Sequence, residues 1–173
     1  MTLHRTRPLP RRSAIGHLLV PESVLAQTRA LLRAAGARVA PHEGMVWWLG
    51  RHVDQDTLVL ACHLPACISG PQCVRADEAA TGAAARAARA LRLGVVAQVH
   101  SHPSEDTRHS DGDDDLILMP YAGMFSLVVA NYGNGSLLPQ EGAGLHQFQD
   151  GLWIQTETAS PALLVIPTEV TDA

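Results

Sequence analysis

The segment His100-Ser101-His102-Pro103, followed by Ser110 and Asp113, constrains this chain more than any other stretch of it. The two histidines end an apolar, β-branched run, Val95 to His100, that reads as a strand. Residues two apart on a strand point to the same face, so both imidazoles can converge on one ion. Ser-x-x-Asp at 110–113 is a capping box opening a short helix from Asp111 to about Leu118, a duty that needs no chemistry. The same turn presents Asp113, with Asp111, Asp114 and Asp115 as competing carboxylates. Imidazole and carboxylate are ligands of catalytic zinc, and three of them leave a fourth position for water. A zinc site open in this way generates hydroxide near neutral pH, so the segment points to a hydrolase.

Around this segment strands and helices alternate. His17 to Val20 forms a short strand, and Pro21 suits the first turn of a helix carrying Val24, Leu25, Thr28, Leu31, Leu32 and Ala35, with Gly36 as its C-cap. Gly44 to Gly50, with Trp47 and Trp48, reads as a buried strand, and Thr57 to Cys62 as the next. Pro65, Gly70 and Pro71 mark a loop, and Asp77 to Leu91 an alanine-rich helix able to lie close against a sheet. A polar loop from Pro103 to His109, a strand from Phe125 to Ala130, and one or two strands within His146 to Gln155 complete the order. This alternation predicts an α/β or α+β sheet with helices against it. A length of 173 residues fits one domain, placed at residues 16–155. Arg5, Arg7, Arg11 and Arg12, interrupted by Pro8 and Pro10, read as a flexible basic arm over residues 1–15. Residues 156–173 form a tail in which Val165 and Ile166 pack as an edge.

A net charge of -4 gives no electrostatic case for nucleic acid. No apolar run approaches the ~20 residues that span a bilayer, and no apolar signal segment follows the N-terminal arginines, so the expected location is cytoplasmic. The odd number of cysteines, Cys62, Cys67 and Cys73, argues against a disulfide framework. They read as reduced structural thiols; the alternative is a second metal site with His63. All 13 basic residues are Arg and none is Lys, which GC-rich codon usage explains.

A zinc hydrolase needs a base for the proton of the attacking water. His42-Glu43 begins like the helical His-Glu-x-x-His motif, but position 46 is Val, so that motif is absent. Glu43 stands instead beside the tryptophan-bearing strand, where a charge is costly unless it has a role. Glu43, then His100-x-His102, seven residues, Ser110, two residues and Asp113 resembles the JAMM motif of the JAB/MPN-type metallopeptidases, and the likeness extends over about residues 16–155. The resemblance implies a mixed β-sheet flanked by helices, related to the cytidine-deaminase-like fold. It implies that His100, His102 and Asp113 bind one zinc ion and that Glu43 accepts the water's proton and returns it to the leaving amine. Ser110 would hydrogen-bond the water or the developing oxyanion, and Pro103 would fix the turn; His109 is left out as a loop histidine.

The same resemblance implies a compact prokaryotic isopeptidase. Its substrate would be the bond after the C-terminus of a ubiquitin-like protein, free or conjugated, with activating and conjugating enzymes of an antiphage operon as partners. The alternatives are a hydrolase that processes small peptides or a sulfur carrier, and a non-catalytic module that binds ubiquitin-like folds. Beside a lysine-conjugating system the lack of Lys gains a second explanation, escape from tagging.

Overall fold

Trp47 and Trp48 are neighbours in sequence and enter opposite sides of one sheet, because successive residues of a strand alternate faces. The computed structural model describes residue 5 and residues 7–117, 120–157 and 161–169. In it Trp48 joins the larger core with Leu18, Leu32, Val46, Val59 and Leu127, and its indole N–H donates to Thr28 Oγ1 at 2.8 Å. Trp47 joins a smaller cluster with Met45, Val74, Ala80 and Ala84, and donates to Gln98 Oε1 at 3.2 Å. Each of these two indole protons therefore has an acceptor, without which its desolvation would be uncompensated.

In chain order the elements are β1 (Arg11–Arg12), β2 (Leu18–Pro21), α1 (Glu22–Gly36), β3 (Met45–Val53), β4 (Asp56–His63), β5 (Cys67–Gly70) and β6 (Cys73–Ala76). There follow α2 (Glu78–Ala90), β7 (Gly94–Ser101), α3 (Asp111–Leu116), β8 (Phe125–Val129), β9 (Gly144–Gln149), β10 (Leu152–Thr156) and β11 (Leu163–Ile166). One mixed sheet has the order β1-β10-β9-β8-β7-β3-β4-β2-β11, and β5 and β6 form a separate hairpin. β7 sits at its centre, antiparallel to β3 and parallel to β8. α1 buries Val24, Thr28 and Leu32 on the Trp48 side; α2 buries Ala80, Ala84 and Ala88 on the Trp47 side. Alanine at every fourth position gives α2 a smooth face that lets it approach β7 closely. This is the α/β architecture expected, a mixed sheet with helices on both faces. Among the described residues no helix is long and apolar enough to cross a membrane.

Several local expectations change. The loop expected around Pro65 to Pro71 contains the β5–β6 hairpin, pairing Cys67 with Ala76 and Gly70 with Cys73. Gly36 does not cap α1 but lies inside it, with Ala37 at the cap. Glycine is needed there for space: a Cβ at position 36 would stand 2.5 Å from the Tyr132 carbonyl oxygen. Residues 7–15, expected as a flexible arm, run along the sheet instead. Arg11 and Arg12 pair with Gln155 and Thr156, and the buried Gln147 side chain grips Ile15 by accepting its N–H at 2.8 Å and donating to its carbonyl at 3.0 Å. A carboxamide that supplies both a donor and an acceptor acts here as a local extension of the sheet edge. The expected helix end at Leu118 lies outside the described residues, and α3 ends at Leu116.

Candidate metal centre

The site is built where β7 ends. Gly44, just before β3, donates its N–H to Ser101 Oγ at 2.9 Å and accepts the Ser101 N–H at 3.0 Å. Glu43 donates its own N–H to the Gly70 carbonyl at 2.9 Å. These bonds suspend Glu43 between the end of β7 and the hairpin. Beyond Ser101 the chain stays extended, with the His102 N–H on the Val129 carbonyl at 2.9 Å, so His100 and His102 keep the same-face relation.

His100 Nε2 and His102 Nε2 stand 3.2 Å apart. His100 Nε2 lies 3.3 Å from Asp113 Oδ1, and His102 Nε2 lies 3.2 Å from Asp113 Oδ2. All three side chains are buried. The α3 turn aims the carboxylate: Asp113 Oδ2 accepts the Ser110 N–H at 2.6 Å, and Ser110 Oγ accepts the Asp113 N–H at 3.2 Å. The capping box is therefore real and also orients Asp113, and the Ser110 hydroxyl proton remains available to donate. His102 Nδ1 faces the Asp106 carbonyl at 2.7 Å, which fixes that ring with Nε2 towards the cluster.

Of the competing carboxylates, Asp114 turns away, to His109 Nδ1 at 3.1 Å and to Arg5. His109 lies in the loop before α3, as expected, yet it is not on the surface. It is buried, its Nε2 faces Ser126 Oγ at 2.8 Å, and its ring stacks on His146 with centroids 4.0 Å apart. It ties α3 to β8 and β9 behind the cluster. Neither His109 nor Ser101 was assigned a site role from sequence. Ser101 carried a signal, as a polar residue at the end of a strand with its neighbours already chosen as ligands. Cys62, Cys67 and Cys73 are free thiols, and among the described residues only His100, His102 and Asp113 form a group able to hold a metal ion.

The electrostatics follow from burial and from the shared carboxylate. Burial pushes the Glu43 carboxyl up to about 7; the His102 ring opposes this and Asp113 adds to it. Burial alone would raise Asp113, but His100 and His102 outweigh it and hold the carboxyl well below the usual range. His100 is lowered, chiefly by burial, which favours the neutral ring that a metal requires. Burial also pulls His102 down, but its bond to Asp113 wins and the net shift is upward.

The donor set fits a divalent cation. Two imidazole nitrogens meeting at one carboxylate have their ligand atoms within 4.8 Å of one another. Two hydrogen-bond orphans surround them: Glu43 Oε1 and His100 Nδ1 are buried and find no hydrogen-bond partner among the described residues. A buried carboxylate oxygen without a donor is costly, and a cation with bound water beside it would remove that cost.

Comparison with known proteins agrees with this geometry. The family of prokaryotic homologs of the JAB domain matches residues 21–138. The probable metalloprotease y4jG of Sinorhizobium fredii is 31% identical over 123 residues, 65% of this chain and 70% of that protein. A solution structure of a protein from Desulfitobacterium hafniense has a TM-score of 0.64 at 17% identity, over 87% of this chain and 93% of that one. Another, from Salinibacter ruber, has a TM-score of 0.54 at 21% identity, over 80% and 88%. At such identities the likeness to the two structures is one of fold.

Proposed function

Because this chain belongs to the family of prokaryotic homologs of the JAB domain, we propose that it is a zinc-dependent peptidase or isopeptidase acting on the bond after the C-terminus of a ubiquitin-like protein. Family membership and the convergence of His100, His102 and Asp113 support a JAB-domain metalloprotease with a group able to hold a metal. The observation that carries the mechanism is Glu43: a buried carboxylate two residues before β3, the strand paired with histidine-bearing β7, with no partner at Oε1 among the described residues.

Zinc held by His100, His102 and Asp113 would supply Lewis acidity to the scissile carbonyl and lower the pKa of water at the site. The two nitrogens and one oxygen suit zinc. Glu43, pushed up to about 7, is matched to accept the proton of the attacking water and to return it to the leaving amine. The Ser110 hydroxyl, its lone pair taken by the Asp113 N–H, donates to the developing oxyanion.

Substrate access supports an extended tail. A cleft of about 320 Å³ opens beside Glu43 between the end of α1 and the β5 hairpin, lined by Ala34, Ala35, Gly44, Met45 and Pro65. Such a cleft suits a narrow peptide of small residues, and the hairpin offers an edge for strand addition. Activating and conjugating enzymes encoded nearby would be the partners of such a protease.

Zinc-loaded protein should be given a ubiquitin-like protein fused through its C-terminus to a reporter, the same pair joined by an isopeptide bond, and an unrelated short peptide. Cleavage after the last residue of the modifier supports the proposal. Equal turnover of the short peptide overturns the ubiquitin-like assignment and leaves a small-peptide hydrolase.

A further inference from the structure

On the α2 side of the sheet, away from the Glu43 cleft, a second cavity of about 350 Å³ is lined by Trp47, Ala85, Arg89, Gln98, Tyr121 and Met124, among others. Its walls are mostly apolar. Gln98 lies two residues before His100 on β7, roughly 7 Å along the strand and on the same face.

The polar atoms of this cavity define what it accepts. Gln98 is 2% exposed, and its carbonyl Oε1 accepts the Trp47 indole N–H. Indole is a donor only, so that bond fixes the carboxamide with its NH2 on the other side. The NH2 makes no hydrogen bond among the described residues. The two hydroxyls on the wall have spent their protons: Thr81 Oγ1 donates to the Asp77 carbonyl at 2.9 Å and Tyr121 OH to the Val95 carbonyl at 3.0 Å. Among the described residues Arg89 forms no ion pair and no Asp or Glu lines the cavity. The unused groups are thus one buried neutral donor and one cation, set in an apolar hollow.

We propose that this cavity is a binding site for a small aliphatic monocarboxylate of medium chain length, distinct from the metal centre. The chain fills the hollow against Trp47 and Met124, and the carboxylate takes the Gln98 NH2 and the Arg89 guanidinium. The volume lies at the low end of the roughly 300–1,000 Å³ of small-molecule pockets, which suits a ligand of this size. Complementarity of sign excludes an amine.

The test is calorimetric titration of the full chain with sodium octanoate, octylamine and 1-octanol, with a chelator present so that no carboxylate binds through a metal. Octanoate should bind in the millimolar range or tighter, at least about tenfold better than either analogue. Ala85→Phe, at an exposed α2 position on the cavity wall, should abolish binding without loss of fold. Arg89→Glu should weaken it by at least about tenfold. Glu43→Gln should bind as wild type does, which separates this site from the peptidase centre. No octanoate binding, equal binding of octylamine, or full binding by Ala85→Phe would overturn the proposal.

Discussion

Gly44 and Ser101, 57 residues apart in sequence, are joined by two hydrogen bonds, Gly44 N–H to Ser101 Oγ at 2.9 Å and Ser101 N–H to Gly44 O at 3.0 Å. This link brings the carboxyl of Glu43 to the two histidines that flank Ser101. Gly44 and Ser101 are both buried, so the Gly44 N–H relies on that hydroxyl as its acceptor.

Ser101→Ala leaves that N–H without an acceptor and should cost about 1–3 kcal/mol. Thermal unfolding checks the stability loss. Metal stoichiometry should survive, since the backbone bonds of β7 and of His102 to Val129 remain, while turnover falls because Glu43 is held less firmly.

Among the described residues Asp113 alone forms an ion pair with both imidazoles. Asp113→Asn, His100→Ala and His102→Ala should each abolish the one zinc per chain that elemental analysis should find in the purified protein. Asp114→Asn should keep it, since Asp114 serves His109 and Arg5. Iron in place of zinc would redirect the chemistry, because two histidines and a carboxylate are also a non-haem iron ligand set.

The metal-free protein should show a pH signature of Glu43. Its folded pKa, about 7, exceeds the ordinary 4.5, so folding favours the neutral acid. Below 4.5 the buried group carries no penalty; as pH rises through 7 the penalty becomes complete. Glu43→Gln should therefore stabilise the metal-free protein by about 1–3 kcal/mol at pH 8 and hardly at all at pH 4. Denaturant unfolding with chelator at both values measures it.

Gly144 lets the loop between His102 and Ser110 close on β9. A Cβ there would stand 1.8 Å from the Thr107 carbonyl oxygen, a backbone atom that cannot move aside alone. Gly144→Ala should destabilise by about 1–3 kcal/mol or more and weaken metal binding, since the displaced loop leads into Ser110 and the α3 turn that aims Asp113. Unfolding midpoints and zinc titration report the two effects.

Much of this arrangement was legible in sequence because it rests on local spacing. His100 and His102 share a face by strand alternation, Ser110 and Asp113 form a capping box, and Trp47 and Trp48 signal a strand with two buried faces. What was hidden depends on distant partners. Cys67–Gly70 and Cys73–Ala76 are too short and too poor in β-branched residues to read as strands, and Pro71 beside the turn reads as loop. Nothing near Arg11 or Ile15 announces that Gln155 and Gln147, far along the chain, will meet them. His109 reads only as a loop histidine because its neighbours are polar; its ring packs against His146 and Trp153. Gln98 could have been singled out, as a lone amide among apolar residues in register with His100 and His102.

The most direct measurement compares kcat/KM of wild type and Glu43→Gln on a cleavable C-terminal fusion at equal, verified zinc occupancy. If Glu43 is the proton carrier beside a metal held by His100, His102 and Asp113, the variant should keep its zinc and lose at least about 10²-fold in rate. Cleavage by Glu43→Gln at the wild-type rate, with zinc bound to both proteins, would contradict that assignment.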